Sequence, residues 1–270
     1  MARRADRYGL YQKSVQSPDH EVTFFRRVFK TTYGRLPKLL REDFCGAGAV
    51  SCEWARSHRD RHAIGVDIDP VPLAWGREHN WSKLSAAARA RVDLRCGDAR
   101  RVTGPKADLV AAQNFSFQCF KTRPELKRYF KAAHGNLARQ GLLFLDLMGG
   151  AELLEDDRPD EVKSFRGYKY VWEQKRFDPI THDCEFFIHF RFPDGSALEK
   201  AFHYQWRLWT VPEIRELLLE AGFRRADVYW EDTDRRTGKG NDTYRRRERA
   251  ESDAAWICYI VAVKESPRAS

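Results

Sequence analysis

From Lys38 to Leu147, short apolar runs alternate with amphipathic stretches, and this alternation constrains the fold more than any other feature of the chain. Lys38–Phe44, Ala63–Asp67, Val92–Cys96, Ala107–Gln113 and Gly141–Leu147 read as strands, each short, apolar and bounded by turn or charged residues. Ala47–Ser57, Pro70–Trp81 and Arg123–Leu137 read as helices. The second has proline in its first turn, and the third carries Leu126, Tyr129 and Phe130 on one face. Strands separated by helices imply a parallel sheet with helices on both faces.

The pattern changes after Gly149-Gly150. Tyr168–Phe177, Cys184–Phe192 and Leu198–Leu208 are rich in aromatic and β-branched residues, with turns at Asp178-Pro179 and Pro193-Asp194-Gly195. They predict an inserted antiparallel β-meander. A helix follows over Val211–Ala221, opened by Thr210 as N-cap and ended by Gly222. The strands Phe223–Trp230 and Ala255–Lys264 come next, joined by a long polar loop. Without a helix between them they must run antiparallel. Upstream, residues 5–35 read as helical, with Val22, Phe25, Val28 and Phe29 on one face, and Pro37 closes that segment. The tail KESPRAS reads as disordered.

The first strand runs into Glu42-Asp43-Phe44-Cys45-Gly46-Ala47-Gly48-Ala49. A glycine-rich turn lets a ligand lie against bare backbone and aims the next helix's N-terminus at it. Alone, Gly-x-Gly is more often a simple turn. Here Asp67 ends the second strand about 20 residues on, where an acid meets ribose hydroxyls. Cys96-Gly97-Asp98-Ala99 ends the third strand, where an acid and adjacent backbone meet an adenine edge. The three features converge on one crevice and predict an adenosine site. The dinucleotide fingerprint wants a third glycine where Ser51 stands, and Glu42 and Asp43 would repel a pyrophosphate but attract a sulfonium with a free ammonium. No Gly-Lys-Ser/Thr phosphate loop is present. The ligand that fits is an adenosyl cation without phosphates.

These segments resemble the class I S-adenosylmethionine-dependent methyltransferases. The matching residues are Glu42 to Gly48, Gly65 to Asp69, Cys96 to Ala99, Ala107 to Phe115, Leu137 to Leu147, and the final EAGF…VYW…ICYIVAVK. The likeness covers roughly residues 38–148 and 210–264. It implies an α/β, Rossmann-like, mostly parallel seven-stranded sheet with helices on both faces, an antiparallel last strand and the inserted meander. Residues 1–270 would form one domain: a basic helical N-terminal lid (1–37), a cofactor-binding core (38–148), a meander cap (149–209), and a last helix with strand pair (210–264). It also implies S-adenosylmethionine held by Glu42, Asp43, Phe44, Gly46, Gly48, Asp67, Ile68, Asp98, Ala99, Asn114 and Phe115. Glu42 would meet the methionine moiety, Asp67 the ribose, and Asp98 with Ala99 the adenine. Asn114 and Phe115 would lie beside the methyl group. One departure is Phe44, which stands where the family usually has glycine.

For the acceptor, Tyr11, Asn114, Tyr204 and Arg207 are the candidate contacts, with Tyr8 and Tyr11 on a helical lid and Trp206 and Trp209 assigned to the core. No residue reads as a catalytic base. The chain has a net charge of +9, and its first 41 residues hold ten basic side chains against three acidic ones. That imbalance supports an RNA methyltransferase as the alternative, using the basic N-terminal segment and the 235–249 loop. The favoured acceptor is a small molecule, because no RNA-binding module is recognisable. A non-catalytic S-adenosylmethionine-binding protein is the third reading. The six cysteines are scattered, without Cys-x-x-Cys pairs, and read as reduced thiols with no metal site. No leader or membrane-spanning run is visible, so the expectation is a cytoplasmic protein with no membrane partner. The methylated atom and the oligomeric state are left open.

Overall fold

A computed structural model of the chain describes residues 1–156, 158–233 and 240–265. Two helices open it, α1 (Arg7–Val15) and α2 (Pro18–Tyr33). The core follows as β1 (Leu39–Asp43), α3 (Ala49–Arg56), β2 (His62–Asp67), α4 (Pro70–His79), α5 (Ala86–Arg89), β3 (Val92–Cys96), β4 (Ala107–Ala112), α6 (Arg123–Asn136) and β5 (Leu137–Gly149). The insertion contributes β6 (Glu161–Phe165), β7 (Tyr168–Phe177), β8 (Asp183–Arg191) and β9 (Ala197–Arg207). The chain ends with α7 (Val211–Glu220), β10 (Arg225–Thr233), β11 (Gly240–Arg247) and β12 (Trp256–Val263).

Among the described residues the main sheet has eight strands in the order β11-β10-β12-β5-β4-β1-β2-β3. Strands β1 to β5 are mutually parallel, and β12 runs antiparallel to both of its neighbours. All five parallel strands therefore end at one edge of the sheet. β5 explains why both faces are covered. Its Leu142 and Phe144 pack into a core with α2 and α3, while Leu143, Leu145 and Leu147 pack into a second core with α6 and α7. A mostly apolar strand buried on both sides is what parallel sheets require. In α2, Val22, Phe24, Phe25, Val28 and Phe29 are all buried, each contributing about 1.5–3 kcal/mol of apolar burial.

Three expectations change. The sheet has eight strands rather than seven, because residues 240–247 of the expected polar loop pair with β10. β11 is an edge strand in which Tyr244 alone is buried and arginines face out, so it carries no apolar alternation to read. The remaining loop residues, 234–239, lie outside those described, as do residues 266–270 of the expected disordered tail. The meander has a fourth strand, β6, which is almost wholly exposed. The N-terminal helix is two helices, broken at Gln16-Ser17 before Pro18, which occupies the first turn of α2.

The cap sheet, β6-β7-β8-β9, turns an aromatic face toward the strand ends. α1 lies between cap and core. Ser14 Oγ is 3.0 Å from the Tyr168 hydroxyl, Tyr11 packs on Phe202 at 4.8 Å between ring centroids, and Asn80 Nδ2 donates to Gln12 at 2.9 Å. No helix among the described residues is long and apolar enough to cross a membrane.

Candidate active site

β1 ends in a turn whose backbone is left-handed at three positions, with φ of +58° at Phe44, +52° at Gly46 and +64° at Gly48. The two glycines do different things. A Cβ at Gly46 would meet open space, whereas a Cβ at Gly48 would lie 2.7 Å from Leu94 Cδ2. Gly46 thus leaves backbone bare toward solvent, and Gly48 allows the turn to pack on β3. Asp67, at the end of β2, fixes the turn: its Oδ2 accepts the Gly46 N–H at 2.7 Å and its Oδ1 the Asp69 N–H at 2.9 Å. Burial raises the Asp67 pKa above the ordinary carboxylate value.

A cavity of about 330 Å³ opens above this turn. Phe44, Gly46, Asp67 and Asp69 line it from the core, Arg7, Tyr8 and Tyr11 from α1, and Phe202 and Tyr204 from β9. A second cavity of about 450 Å³ lies beneath the cap. Tyr170, Trp172 and Trp206 form its cap wall; Tyr244, Trp256 and Tyr259 form the opposite wall; Glu21, Asp146 and Phe115 also face it. Tyr11, Asn114 and Tyr204 line both cavities and mark where they meet.

The junction is held by backbone geometry. Asn114 and Phe115 have φ of +56° and +57°, a conformation that costs a non-glycine residue about 1–2 kcal/mol. Asp146 offsets that cost by accepting both backbone N–H groups, Asn114 at Oδ2 (2.7 Å) and Phe115 at Oδ1 (2.9 Å). Burial pushes Asp146 up to about 7 even though the two N–H groups oppose it. Burial likewise raises Glu21 to about 8, reinforced by the negative fields of Glu42, Asp146 and Asp19.

A family profile described as a methyltransferase domain matches residues 44–141, from the glycine turn to the start of the apolar part of β5. That stretch of the chain is thus matched as a methyltransferase domain. No curated protein matches the chain by sequence. Solved structures match it over nearly their whole length. An S-adenosylmethionine-dependent methyltransferase from Clostridium acetobutylicum superposes with a TM-score of 0.66 at 16% identity, covering 94% of this chain and 96% of that one. DesVI from Streptomyces venezuelae gives 0.67 at 16% identity, with 95% of each chain covered. CalS10 from Micromonospora echinaspora, an amino pentose methyltransferase involved in calicheamicin biosynthesis, gives 0.66 at 18% identity, again with 95% of each. At these identities the likeness is one of fold.

The residues expected to hold the cofactor separate into groups. Phe44, Gly46, Asp67 and Asn114 line the smaller cavity, and Phe115 lines the larger. Phe44 takes the left-handed φ that suits the glycine usual at its position, and its ring packs on Phe120 and Tyr129. Ile68 is 68% exposed beside Asp67, an apolar side chain left facing solvent at a strand end. Asp98 is tied to Arg100 through both oxygens, at 3.0 Å from Nε and 2.7 Å from Nη2, and that bond holds its pKa below the usual range. Ala99 is buried, and neither it nor Asp98 lines the two cavities.

Four assignments are corrected by geometry. Glu42 does not face the cavity; its Oε2 accepts both the Ser51 N–H (2.8 Å) and the Ser51 hydroxyl (2.5 Å), so it braces the start of α3. Burial raises it to about 7 against those bonds. Asp43 alternates to the opposite face of β1, where its fully buried carboxylate pairs with Arg41 at 2.7 Å and accepts from Tyr129 at 3.3 Å. The acids that do border the smaller cavity are Asp67 and Asp69. Gly48 serves packing, as described. Arg207 lines neither cavity: it pairs with Glu213 at 3.0 Å, donates to the Lys121 carbonyl at 3.2 Å and stacks on Trp209. Trp206 is buried in the aromatic core of the cap and also lines the larger cavity, and Trp209 is buried in the core beside α6 and α7.

Asp146 and Glu21 were not among the expected site residues. Both carried a signal, a single carboxylate set in an apolar pattern. Asp146 interrupts Leu142 to Leu147, and Glu21 shares the helix face of Phe24, Phe25 and Val28.

Proposed function

We propose that this methyltransferase transfers a methyl group from S-adenosylmethionine to a small molecule held in the 450 Å³ cavity. The observation that carries this reading is the meeting of two cavities at Tyr11, Asn114 and Tyr204. In-line displacement needs nucleophile, methyl carbon and sulfur aligned, and two compartments that meet at one boundary suit that arrangement. The cofactor, when bound, supplies a methyl group on a positively charged sulfur. Asp67 receives the ribose hydroxyls, Gly46 lets the ligand approach backbone, and Ile68, with Asp98 and Ala99 at the end of β3, flanks the adenine. α1 and the cap exclude water from the boundary.

The acceptor side supports a small molecule. Its volume lies within the range of about 300–1,000 Å³ typical of such sites, and its walls are aromatic. Similar folds include CalS10, an amino pentose methyltransferase, and KedS8, a sugar N-methyltransferase. The RNA alternative loses support at Arg245 to Arg247. Arg245 and Arg247 pair with Asp232, and Arg246 pairs with Asp227 and Glu248. Paired surface arginines release fewer counterions to a phosphate backbone.

Calorimetry with S-adenosylhomocysteine tests the cofactor. Methyl-labelled S-adenosylmethionine, incubated separately with a small-molecule extract and with total RNA, tests the acceptor. Label in the extract alone is expected. Label in RNA alone restores the alternative, and binding without label in either pool leaves a cofactor-binding protein.

A further inference from the structure

Glu21 presents a carboxylate in the first turn of α2, on the side of the helix that is buried. It lies on the apolar stripe of α2 among Phe24, Phe25 and Val28, is 7% exposed, and its Oε2 has no hydrogen-bond partner among the described residues. No described cation pairs with it. An apolar residue would serve packing better, because a buried charge without a partner opposes folding. Glu21 nevertheless lines the larger cavity together with Tyr11 and Asn114 of the junction. Around it stand Asp146 of β5, Tyr259 of β12, Tyr244 of β11 and Tyr11 of α1, with Asp19 and His20 on its own helix and Glu42 of β1 within electrostatic reach. Carboxylates among aromatic rings make a site for a cation.

We infer that Glu21 is the proton acceptor of the acceptor site, and that the molecule methylated there is an amine which arrives as an ammonium ion. This rests on the methyltransferase reading of the preceding subsection. The ammonium gives one proton to the Glu21 carboxylate and becomes a neutral amine. Its freed lone pair forms the N–C bond as the methyl C–S bond breaks, and the electron pair of that bond returns to sulfur. The product leaves as an N-methylammonium ion, and Glu21 loses its proton to solvent. Burial brings Glu21 to about 8, so it accepts a proton only in the ionised form that prevails above that pH, and there it is a stronger base toward an ammonium near 10 than an ordinary carboxylate. A hydroxyl acceptor would be far too weak an acid for the same group.

The test uses methyl-labelled S-adenosylmethionine and a small-molecule extract divided in two, one half first acetylated at its amines. The wild-type protein is expected to label the untreated half at least tenfold more than the acetylated half. Glu21→Gln should lower that label by on the order of 100-fold while S-adenosylhomocysteine affinity stays within about twofold. Glu21→Ala should recover part of the activity when formate is added, which a purely structural role would not produce. Label that survives acetylation, label absent from both halves, or a Glu21→Gln protein as active as wild type overturns the inference. Failure of the wild-type protein to bind S-adenosylhomocysteine would instead overturn the cofactor reading beneath it.

Discussion

Asp146 accepts the backbone N–H of Asn114 at 2.7 Å from within the otherwise apolar β5. It holds the Phe115 N–H as well, so one side chain fixes the left-handed turn at which the two cavities meet. Asp146→Ala would leave both N–H groups unpaired in a part-buried turn. The expected loss is on the order of 1–3 kcal/mol for each, read by urea denaturation, with a fall in methyl-transfer rate larger than the fall in cofactor affinity. A variant as stable as the parent would mean that the turn holds its shape unaided.

Asp67 has two tasks, bracing Gly46 and facing the smaller cavity. Asp67→Ala should weaken S-adenosylhomocysteine binding by on the order of 1.5–3 kcal/mol, the scale of a lost charged hydrogen bond. Calorimetry at fixed pH gives the number directly. Unchanged affinity would remove the ribose from this position.

Gly46 and Gly48 should fail in different ways. Gly46→Val places its side chain in open space beside the cavity, so the chain should fold, at a cost of about 1–2 kcal/mol for the left-handed φ, and should lose cofactor binding. Gly48→Val pushes into Leu94 and should lower the melting temperature much further. Paired thermal melts with and without S-adenosylhomocysteine separate the two. Equal behaviour would refute the division of roles.

Glu42 predicts a pH dependence of stability. Its folded pKa of about 7 lies above the unfolded value near 4.3, so the folded protein holds more protons between them. The stability that goes with the bound proton is complete below about pH 4 and is lost as pH rises through about 7. The melting temperature of the cofactor-free protein should therefore fall from about pH 5 to about pH 8. Asp146 and Glu21, also raised by burial, act in the same direction. Glu42→Gln should make the fall shallower without abolishing it. A slope unchanged by the substitution would mean that Glu42 titrates as an exposed group.

The sheet was legible because backbone hydrogen bonding and burial both have a period. Ala107 to Ala112 and Leu142 to Leu147 admit only a strand covered on two sides, and Asp67 and the glycine turn had to fall at the same edge once the strands were parallel. β11 escaped notice because an edge strand needs only one buried side chain, Tyr244.

The chain order of residues by itself determined the α/β sheet, its reversed last strand and the glycine-rich turn after the first strand, since these follow from local periodicity and glycine placement. Only the tertiary structure decided which carboxylate faces which space. Glu42 and Asp43 are adjacent, yet one braces α3 and the other sits beneath α6, because successive side chains of a strand point to opposite faces. Glu21 and Asp146 are 125 residues apart, and they share one cavity because α2 packs against the sheet face beside the end of β5. Contacts between distant segments depend on how helices and sheets pack, which no local spacing encodes.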